Sequence, residues 1–356
     1  MATYSTAKVG PEGIEFSFAD SGAVAGSNDY TTLVIFHGSA FNSHSFHKLL
    51  PLASSHNLRV VVVNRREYRG SSRYTEEEIT HLQEGRKLFL ERIGLHVVEF
   101  LQYFAETYDI PKITVGKDKG GIAVMGWSIA VATVLAMLGH PDTIPKEYYE
   151  RLEPYLRTAV LYDPPYHAFG YEITGDVDAY NPWTDPTIPT AEERYKTFQY
   201  WVSSYYSHPD IRSGSMRGLD YRHRTDQASI DNTAKEDMAM MYEESAAVRT
   251  DLHMVIEPMQ PTIREQAKMA LFNEELARTV LPDLRVVHVV CLQTHWHCIW
   301  GYIEAKKEYE SCVAKGQKPR PFDFVEIPKA NHFVHWDQPA EFLDAVAQAV
   351  TTFGHV

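Results

Sequence analysis

The chain has 356 residues, of which 44% are hydrophobic and 23% are charged, a composition typical of an ordinary globular protein. Its formal net charge of −13 disfavours a polyanionic partner such as nucleic acid. The three cysteines are too few, and odd in number, for a disulfide framework, which indicates a reducing compartment. No basic start followed by an apolar run is seen at the N-terminus, so we expect a cytoplasmic protein.

The first apolar runs predict buried strands. The run TTLVIFHG (31–38) and the run that begins LRVVVVN (58–72) contain consecutive β-branched residues, which is typical of parallel strands covered on both faces. Residues 76–110 then place apolar side chains at helical spacing. They predict one long helix.

The stretch GGIAVMGWSIAVATVLAML (120–138) has no charged residue and is almost entirely apolar. A membrane span needs about 20 such residues, so a span is one interpretation. Against it, Gly126 and Ser128 interrupt the first half, and the basic and aromatic anchors of a span do not flank both ends. We favour a buried strand that turns sharply into a helix, with Ser128 at the turn.

The second half of the chain continues the alternation after a long interruption. Three further strands are predicted from RTAVLYDPP (157–165), LRVVHVVCLQ (284–293) and FDFVEIP (322–328), and a terminal amphipathic helix from residues 339–353. Residues 166–283 contain no convincing buried strand and are rich in Tyr, Met, Pro and Arg. We predict an α/β fold with a mostly parallel sheet and a largely helical insertion at 166–283.

Ser128 is the first candidate for chemistry. A serine at a strand–turn–helix junction is projected above the sheet edge, close to the free amides of a helix N-terminus. The turn is tight, so the residues two before and two after must be small, and Gly126 and Ala130 satisfy this. The pattern is common, and a serine without chemistry at a small-residue junction is the alternative interpretation.

A nucleophilic serine needs a base and a pair of oxyanion donors. His332, in the segment NHFVHWDQPAEF, follows a predicted strand and precedes a helix, and is the candidate base; His335 is its near competitor. The amide of Ser39, which follows a His-Gly turn, and the amide of Ile129 are the candidate donors to a developing oxyanion.

These motifs resemble the α/β-hydrolase family when taken in chain order. The resemblance rests on the pair His37-Gly38, the turn NRREYRGSS, the elbow Gly126-x-Ser128-x-Ala130 and the His332 loop. It implies an α/β-hydrolase fold in which residues 1–165 and 284–356 form the core. It also implies that residues 166–283 form a helical lid between strands 6 and 7, and that no cofactor is needed.

The triad acid departs from the commonest family pattern. Many members carry an aspartate after strand 7, but here the loop CLQTHWHCIWGY has no carboxylate before Glu304. Some α/β-hydrolases are known to place the acid at the end of strand 6, where Asp163 stands. The resemblance therefore implies Ser128, Asp163 and His332, in the family order, with Glu304 as the alternative acid.

The resemblance implies a serine hydrolase that cleaves an ester, thioester or lactone bond of a small apolar molecule. A serine rather than a carboxylate at the elbow disfavours epoxide hydrolysis and haloalkane dehalogenation. A carbon–carbon bond hydrolase or lyase, an acyltransferase, or a catalytically silent ligand-binding protein remain as alternatives. We expect Phe41, Trp127 and Tyr166 to contact the substrate.

The cluster CLQTHWHC offers a possible metal site through Cys291, His295, His297 and Cys298. Its spacing is not that of a structural zinc site and no second cluster stands near it. We therefore expect no bound metal and interpret the segment as the loop after a strand.

Overall fold

The computed structural model describes residues 3–175 and 177–351. Within them, eight strands form one sheet in the order β1-β2-β4-β3-β5-β6-β7-β8. The strands are β1 (Tyr4–Val9), β2 (Ile14–Asp20), β3 (Thr31–Phe36), β4 (Leu58–Val63), β5 (Ile122–Trp127), β6 (Leu156–Tyr162), β7 (Arg285–Cys291) and β8 (Phe322–Ile327). The α-helices are α1 (Glu76–Gln83), α2 (Lys87–Thr107), α3 (Ala130–Gly139), α4 (Lys146–Leu152), α5 (Ala191–Ser203), α6 (Lys235–Met241), α7 (Glu244–Ala246), α8 (Leu252–Val255), α9 (Met259–Phe272), α10 (Glu274–Thr279), α11 (Trp296–Ala314), α12 (Val334–Asp337) and α13 (Pro339–Thr351).

The centre of the sheet is parallel and fully covered. Every residue of β3, β4, β5, β6 and β7 is buried, and neighbouring strands in this group pair in parallel. Continuous apolar runs suit such strands because helices cover both faces. The α/β prediction with a mostly parallel sheet is therefore confirmed.

The apolar stretch at 120–138 divides between β5, a sharp turn and α3. All ten residues of α3 are buried, and α3 contacts α2 and α9. Its apolar side chains thus face the protein's own core. Among the described residues, the structure has no helix that is both long and apolar enough to cross a membrane.

The chain between β6 and β7 is helical, as its sequence predicts. Residues 166–283, the helical insertion, contain α5 to α10 and no strand of the sheet among their described members. The insertion is joined to the core through α9, because Gln266 donates its Nε2 hydrogen to the Ala132 carbonyl at 2.8 Å. Asp176 lies outside the described residues, as do residues 352–353 of the predicted terminal helix.

One sequence expectation needs correction, and one element was not predicted. The predicted helix at 76–110 is two helices, because Gly85 between them adopts φ +68° and a Cβ there would lie 2.5 Å from the Pro258 carbonyl oxygen. The antiparallel hairpin of β1 and β2 was not predicted, although it pairs with β4 at the edge of the sheet.

Candidate active site

Ser128 lies at the turn between β5 and α3. Its φ of +58° is in the left-handed region, which a non-glycine residue adopts at a cost of about 1–3 kcal/mol. The Ser128 amide donates to the Tyr162 carbonyl at 2.9 Å, which fixes the turn to β6. A Cβ at Gly126 would lie 2.4 Å from the Ala130 carbonyl oxygen. The backbone itself therefore excludes a side chain at position 126.

Asp163 and His332 form a buried hydrogen-bonded pair. Asp163 Oδ2 lies 2.6 Å from His332 Nδ1, and the two residues are 0% and 1% exposed. The other carboxylate oxygen, Oδ1, accepts the Cys291 amide hydrogen at 2.9 Å. Asp163 follows β6 with φ +47° and its own amide donates to the Val289 carbonyl at 2.7 Å. Backbone bonds to β7 thus fix both the position and the orientation of the carboxylate.

Two backbone amides beside Ser128 are free to act as donors. Within residues 3–175 and 177–351, the amides of Ser39 and Ile129 donate to no protein acceptor. Gly38 brings the Ser39 loop close to the serine, because a Cβ at Gly38 would lie only 2.9 Å from Ser128 Cβ. Two amides without protein acceptors beside a serine are what an oxyanion-binding site would require.

Comparisons with known proteins agree with this architecture. A family model described as "Alpha/beta hydrolase family" matches residues 33–345. The chain belongs to the alpha/beta hydrolase family. No match was found among curated protein sequences.

Solved structures of several activities share the fold of this alpha/beta hydrolase. A putative aryl esterase from Burkholderia cenocepacia is 11% identical with a TM-score of 0.53, covering 97% of each chain. A bromoperoxidase from Bacillus anthracis is 13% identical with a TM-score of 0.51, covering 98% of this chain and 100% of its own. A laboratory-evolved variant of potato epoxide hydrolase is 12% identical with a TM-score of 0.51, covering 99% and 100%. At such identities the likeness concerns the fold alone.

A small closed chamber adjoins Ser128 in this hydrolase. Its free volume is about 20 Å³, which is room for roughly one water molecule. The chamber is lined from the sheet side by Ser39, Ser128, Ile129, Pro165, His295 and His297, and from the helical insertion by His167, Trp183, Tyr195, Phe198, Trp201 and Val255. The insertion therefore covers the serine with a mainly aromatic wall.

An open cleft of about 620 Å³ lies on the far side of that wall. Its lining is more polar and includes Asn181, Gln260, Arg264 and Lys268. His167, Trp183 and Val255 line both the cleft and the chamber. Displacement of these three side chains would join the two spaces.

The three residues expected to contact the substrate are placed differently from one another. Tyr166 lines the outer cleft. Phe41 and Trp127 are each 1% exposed and line neither space. Trp127 packs beneath the site, where its ring lies 4.9 Å from the His332 ring and its Nε1 hydrogen is donated to the His332 carbonyl at 3.2 Å. Its contact is thus with the imidazole-bearing loop.

The competing candidates lie away from the Asp163–His332 pair. His335 points into the core, where its Nδ1 lies 2.9 Å from Tyr162 Oη and its ring stacks on Phe46 at 4.0 Å. Glu304 pairs with Lys307 on the same helix at 2.9 Å.

Cys298 lies directly beneath the pair. Its thiol donates to the Asp163 carbonyl at 3.0 Å, and Sγ lies 3.4 Å from His295 Nε2 and 3.7 Å from His332 Nδ1. These three ligand-type atoms lie within 4.8 Å of one another. Burial, followed by the charge of Asp163, raises the pKa of the Cys298 thiol well above its ordinary value, so it remains a protonated donor. Hydrogen bonds therefore account for the cluster.

An ion pair missed in the sequence joins the insertion to the Ser39 loop. Arg65, directly after β4, donates to the carbonyls of His37 and Gly38 at 2.8 and 2.7 Å. Its guanidinium also makes two 2.9 Å bonds to the carboxylate of Asp251. Tyr68 bonds to the same carboxylate and accepts the Ala40 amide hydrogen at 2.9 Å. We call this the Arg65 network.

The Arg65 network is largely buried, with the side chains of Asp251 and Arg65 1% and 13% exposed, and its charges are matched. Burial alone would lower the pKa of Arg65, but the adjoining Asp251 carboxylate more than offsets this, so the pKa is raised above its ordinary value. Burial, followed by the charge of Asp251, raises the pKa of Tyr68 well above its ordinary value, so the phenol stays protonated as a donor. Arg65 lies in the turn NRREYRGSS. No sequence signal marks its partner Asp251, which is 186 residues further along the chain.

Proposed function

We propose that this alpha/beta hydrolase is a serine hydrolase that cleaves an ester, thioester or lactone bond of a small, mostly apolar molecule. The observation that carries the proposal is the 2.6 Å bond between Asp163 Oδ2 and His332 Nδ1. A buried carboxylate in this position keeps the proton on Nδ1 and leaves Nε2 bare as a base. Within the described residues, Ser128 Oγ and His332 Nε2 make no hydrogen bond to each other or to any other protein group, so both are available to a substrate.

The first half of the proposed reaction makes an acyl-enzyme. Ser128 Oγ attacks the carbonyl carbon while His332 Nε2 takes its proton, and Asp163 stabilises the imidazolium. The amides of Ser39 and Ile129 hold the oxyanion of the tetrahedral intermediate. A preorganised donor of this kind typically contributes about 3–4 kcal/mol. The intermediate then collapses, and the leaving alcohol or thiol takes the proton from His332.

The second half releases the acid. A water molecule gives a proton to His332 Nε2 and attacks the acyl carbon, the same amides hold the second oxyanion, and Ser128 Oγ leaves with the proton returned by His332. We propose that the helical insertion acts as a lid during this cycle. The support is its aromatic wall over Ser128, which excludes bulk water from the chamber and so strengthens the electrostatic interactions inside.

Intact-mass labelling with a fluorophosphonate, followed by peptide mapping, tests the proposal. A single adduct on the Ser128 peptide of the wild type, absent in Ser128→Ala, is the expected result. Ser39→Ala is the matched control, because it keeps its backbone amide and removes a second chamber hydroxyl together with the 3.2 Å bond of that hydroxyl to Tyr195 Oη. No adduct on the folded wild-type protein would overturn the proposal and favour a silent ligand-binding protein.

A further inference from the structure

Three ring nitrogens of the chamber wall have no partner. Within the part of the chain that the structure describes, Trp201 Nε1, His295 Nδ1 and His297 Nε2 make no hydrogen bond. Their residues are 0%, 2% and 2% exposed, and all three line the chamber that contains Ser128. Buried polar groups are nearly always paired, so three unpaired groups in one cavity wall indicate a bound water or a ligand group that pairs them.

The three rings are neighbours. The Trp201 ring centroid lies 4.2 Å from that of His295 and 4.6 Å from that of His297, and the two imidazoles are 5.5 Å apart. These distances join ring centroids and show that the three rings pack together, and the nitrogens themselves have almost no accessible surface in this arrangement. Both imidazoles are neutral, because burial and then a neighbouring histidine lower the pKa of each well below its ordinary value.

Hydrogen bonding fixes what His295 and Trp201 can do. The Cys298 thiol gives its only proton to the Asp163 carbonyl, so Sγ can only accept in its 3.4 Å contact with His295 Nε2. Nε2 of the neutral ring therefore carries the proton, and Nδ1 is a bare acceptor. The indole Nε1–H of Trp201 can only donate. The wall thus offers one acceptor and one donor side by side.

We propose that this wall is a subsite for a hydroxyl group of the substrate, next to the bond that Ser128 attacks. A hydroxyl donates one hydrogen bond and accepts others, which matches the acceptor of His295 and the donor of Trp201. The chamber itself admits only about one water-sized group, so the hydroxyl would occupy it, and a phenol ring or another apolar frame would take the space gained when His167, Trp183 and Val255 are displaced toward the outer cleft. The inference rests on the proposed function for its place beside a scissile bond, but the subsite itself can be tested without turnover.

Binding of phenol against toluene is the direct test, since the two differ only in a hydroxyl for a methyl group. Ligand-observed NMR on Ser128→Ala should give phenol a dissociation constant lower by about tenfold or more. Anisole, which can accept but not donate, should fall between them. Trp201→Phe removes the donor and leaves the His295 acceptor, so it should reduce the phenol preference severalfold. Trp183→Phe, in the same wall but with an indole nitrogen that is not among the buried unpaired groups, should keep it.

Equal binding of phenol and toluene, or no binding of either, would overturn the subsite. An equal loss of preference in Trp201→Phe and Trp183→Phe would overturn it as well, because packing rather than the indole donor would then be responsible. These outcomes are separate from failure of the proposed function, which the fluorophosphonate adduct on Ser128 reports by itself.

Matched esters then locate the hydroxyl on the substrate. Ethyl 3-hydroxybenzoate against ethyl 3-methylbenzoate places it on the acyl side, and 3-hydroxyphenyl acetate against 3-methylphenyl acetate places it on the leaving group. We expect the hydroxylated member of one pair to have the higher kcat/KM, with the advantage reduced in Trp201→Phe. An advantage in neither pair would contradict a subsite beside the scissile bond.

Discussion

Replacement of Asp163 by asparagine is the most informative single change, because the structure fixes how the new amide must lie. Asp163 Oδ1 accepts the Cys291 amide hydrogen at 2.9 Å. The asparagine oxygen must keep that bond, since an NH₂ group there would face another donor. The NH₂ group is then directed at His332 Nδ1, 2.6 Å from the present Oδ2. It donates to Nδ1 and places the imidazole proton on Nε2.

In that tautomer the imidazole cannot take the Ser128 proton. On serine-protease precedent, a carboxylate-to-amide change of this kind lowers kcat by about 10⁴, or about 5.5 kcal/mol in the barrier. The assay is hydrolysis of 4-nitrophenyl acetate, followed by a comparison of kcat for Asp163→Asn and wild type. Circular dichroism and thermal unfolding establish that the variant remains folded.

Glu304→Gln is the matched control, because Glu304 is the alternative acid and pairs with a lysine of its own helix. It should leave kcat within about twofold of wild type, since partly exposed ion pairs contribute little. Near-normal turnover in Asp163→Asn, together with a large loss in Glu304→Gln, would refute the assignment of the acid.

Three further predictions concern the loop, the ion pair and the pH dependence of stability. Gly38→Ala adds a Cβ 2.9 Å from that of the nucleophilic serine; a misplacement of about 1 Å should lower kcat by about 10²-fold, and unchanged kinetics would contradict the close approach. Asp251→Asn leaves the Arg65 charge buried and should lower the free energy of unfolding by about 3–5 kcal/mol, measured by urea denaturation. The exposed-pair control Asp231→Asn should lose about 0–1 kcal/mol; equal losses would argue against the buried network. Burial, followed by a neighbouring acid, raises the pKa of Glu99 from its ordinary value to about 7, so its ionisation lowers stability as the pH rises from about 4.5 through 7. Glu99→Gln should therefore gain about 1–2 kcal/mol over wild type at pH 8 and little at pH 4.5; a gain independent of pH would contradict the shift.

The sheet could be predicted from the sequence because its signals are local. The runs at 31–38 and 58–72 are β-branched and continuous, and a fully covered parallel strand needs that composition. The hairpin of β1 and β2 gave no such signal, because its strands are at the sheet edge and several of their residues are exposed. Gly85 illustrates the opposite case, since its requirement comes from Pro258, far away in the chain.

In the candidate site, too, some residues are marked by local patterns and others depend on contacts between distant parts of the chain. Ser128 and His332 lie in short patterns whose spacing is imposed by one turn, so the sequence could single them out. The partnership of Asp163 with His332 joins two loops through residues that are 169 positions apart in the chain, and only a family resemblance suggested it. The Trp201 and His295 wall had no signal at all, because unpaired nitrogens are visible only after the insertion has packed over the sheet.

The Arg65 network has a consequence for the timing of turnover. One guanidinium bonds the insertion through Asp251 and the Ser39 loop through two carbonyls. If the insertion moves away, this largely buried cation loses its counter-charge and keeps only its bonds to the two loop carbonyls. The conformation with the insertion displaced from Ser128 should accordingly be sparsely populated. Each catalytic cycle should require it twice, once for substrate entry and once for product release. Such steps take microseconds to milliseconds, so a pre-steady-state burst would reveal chemistry faster than the steady-state rate.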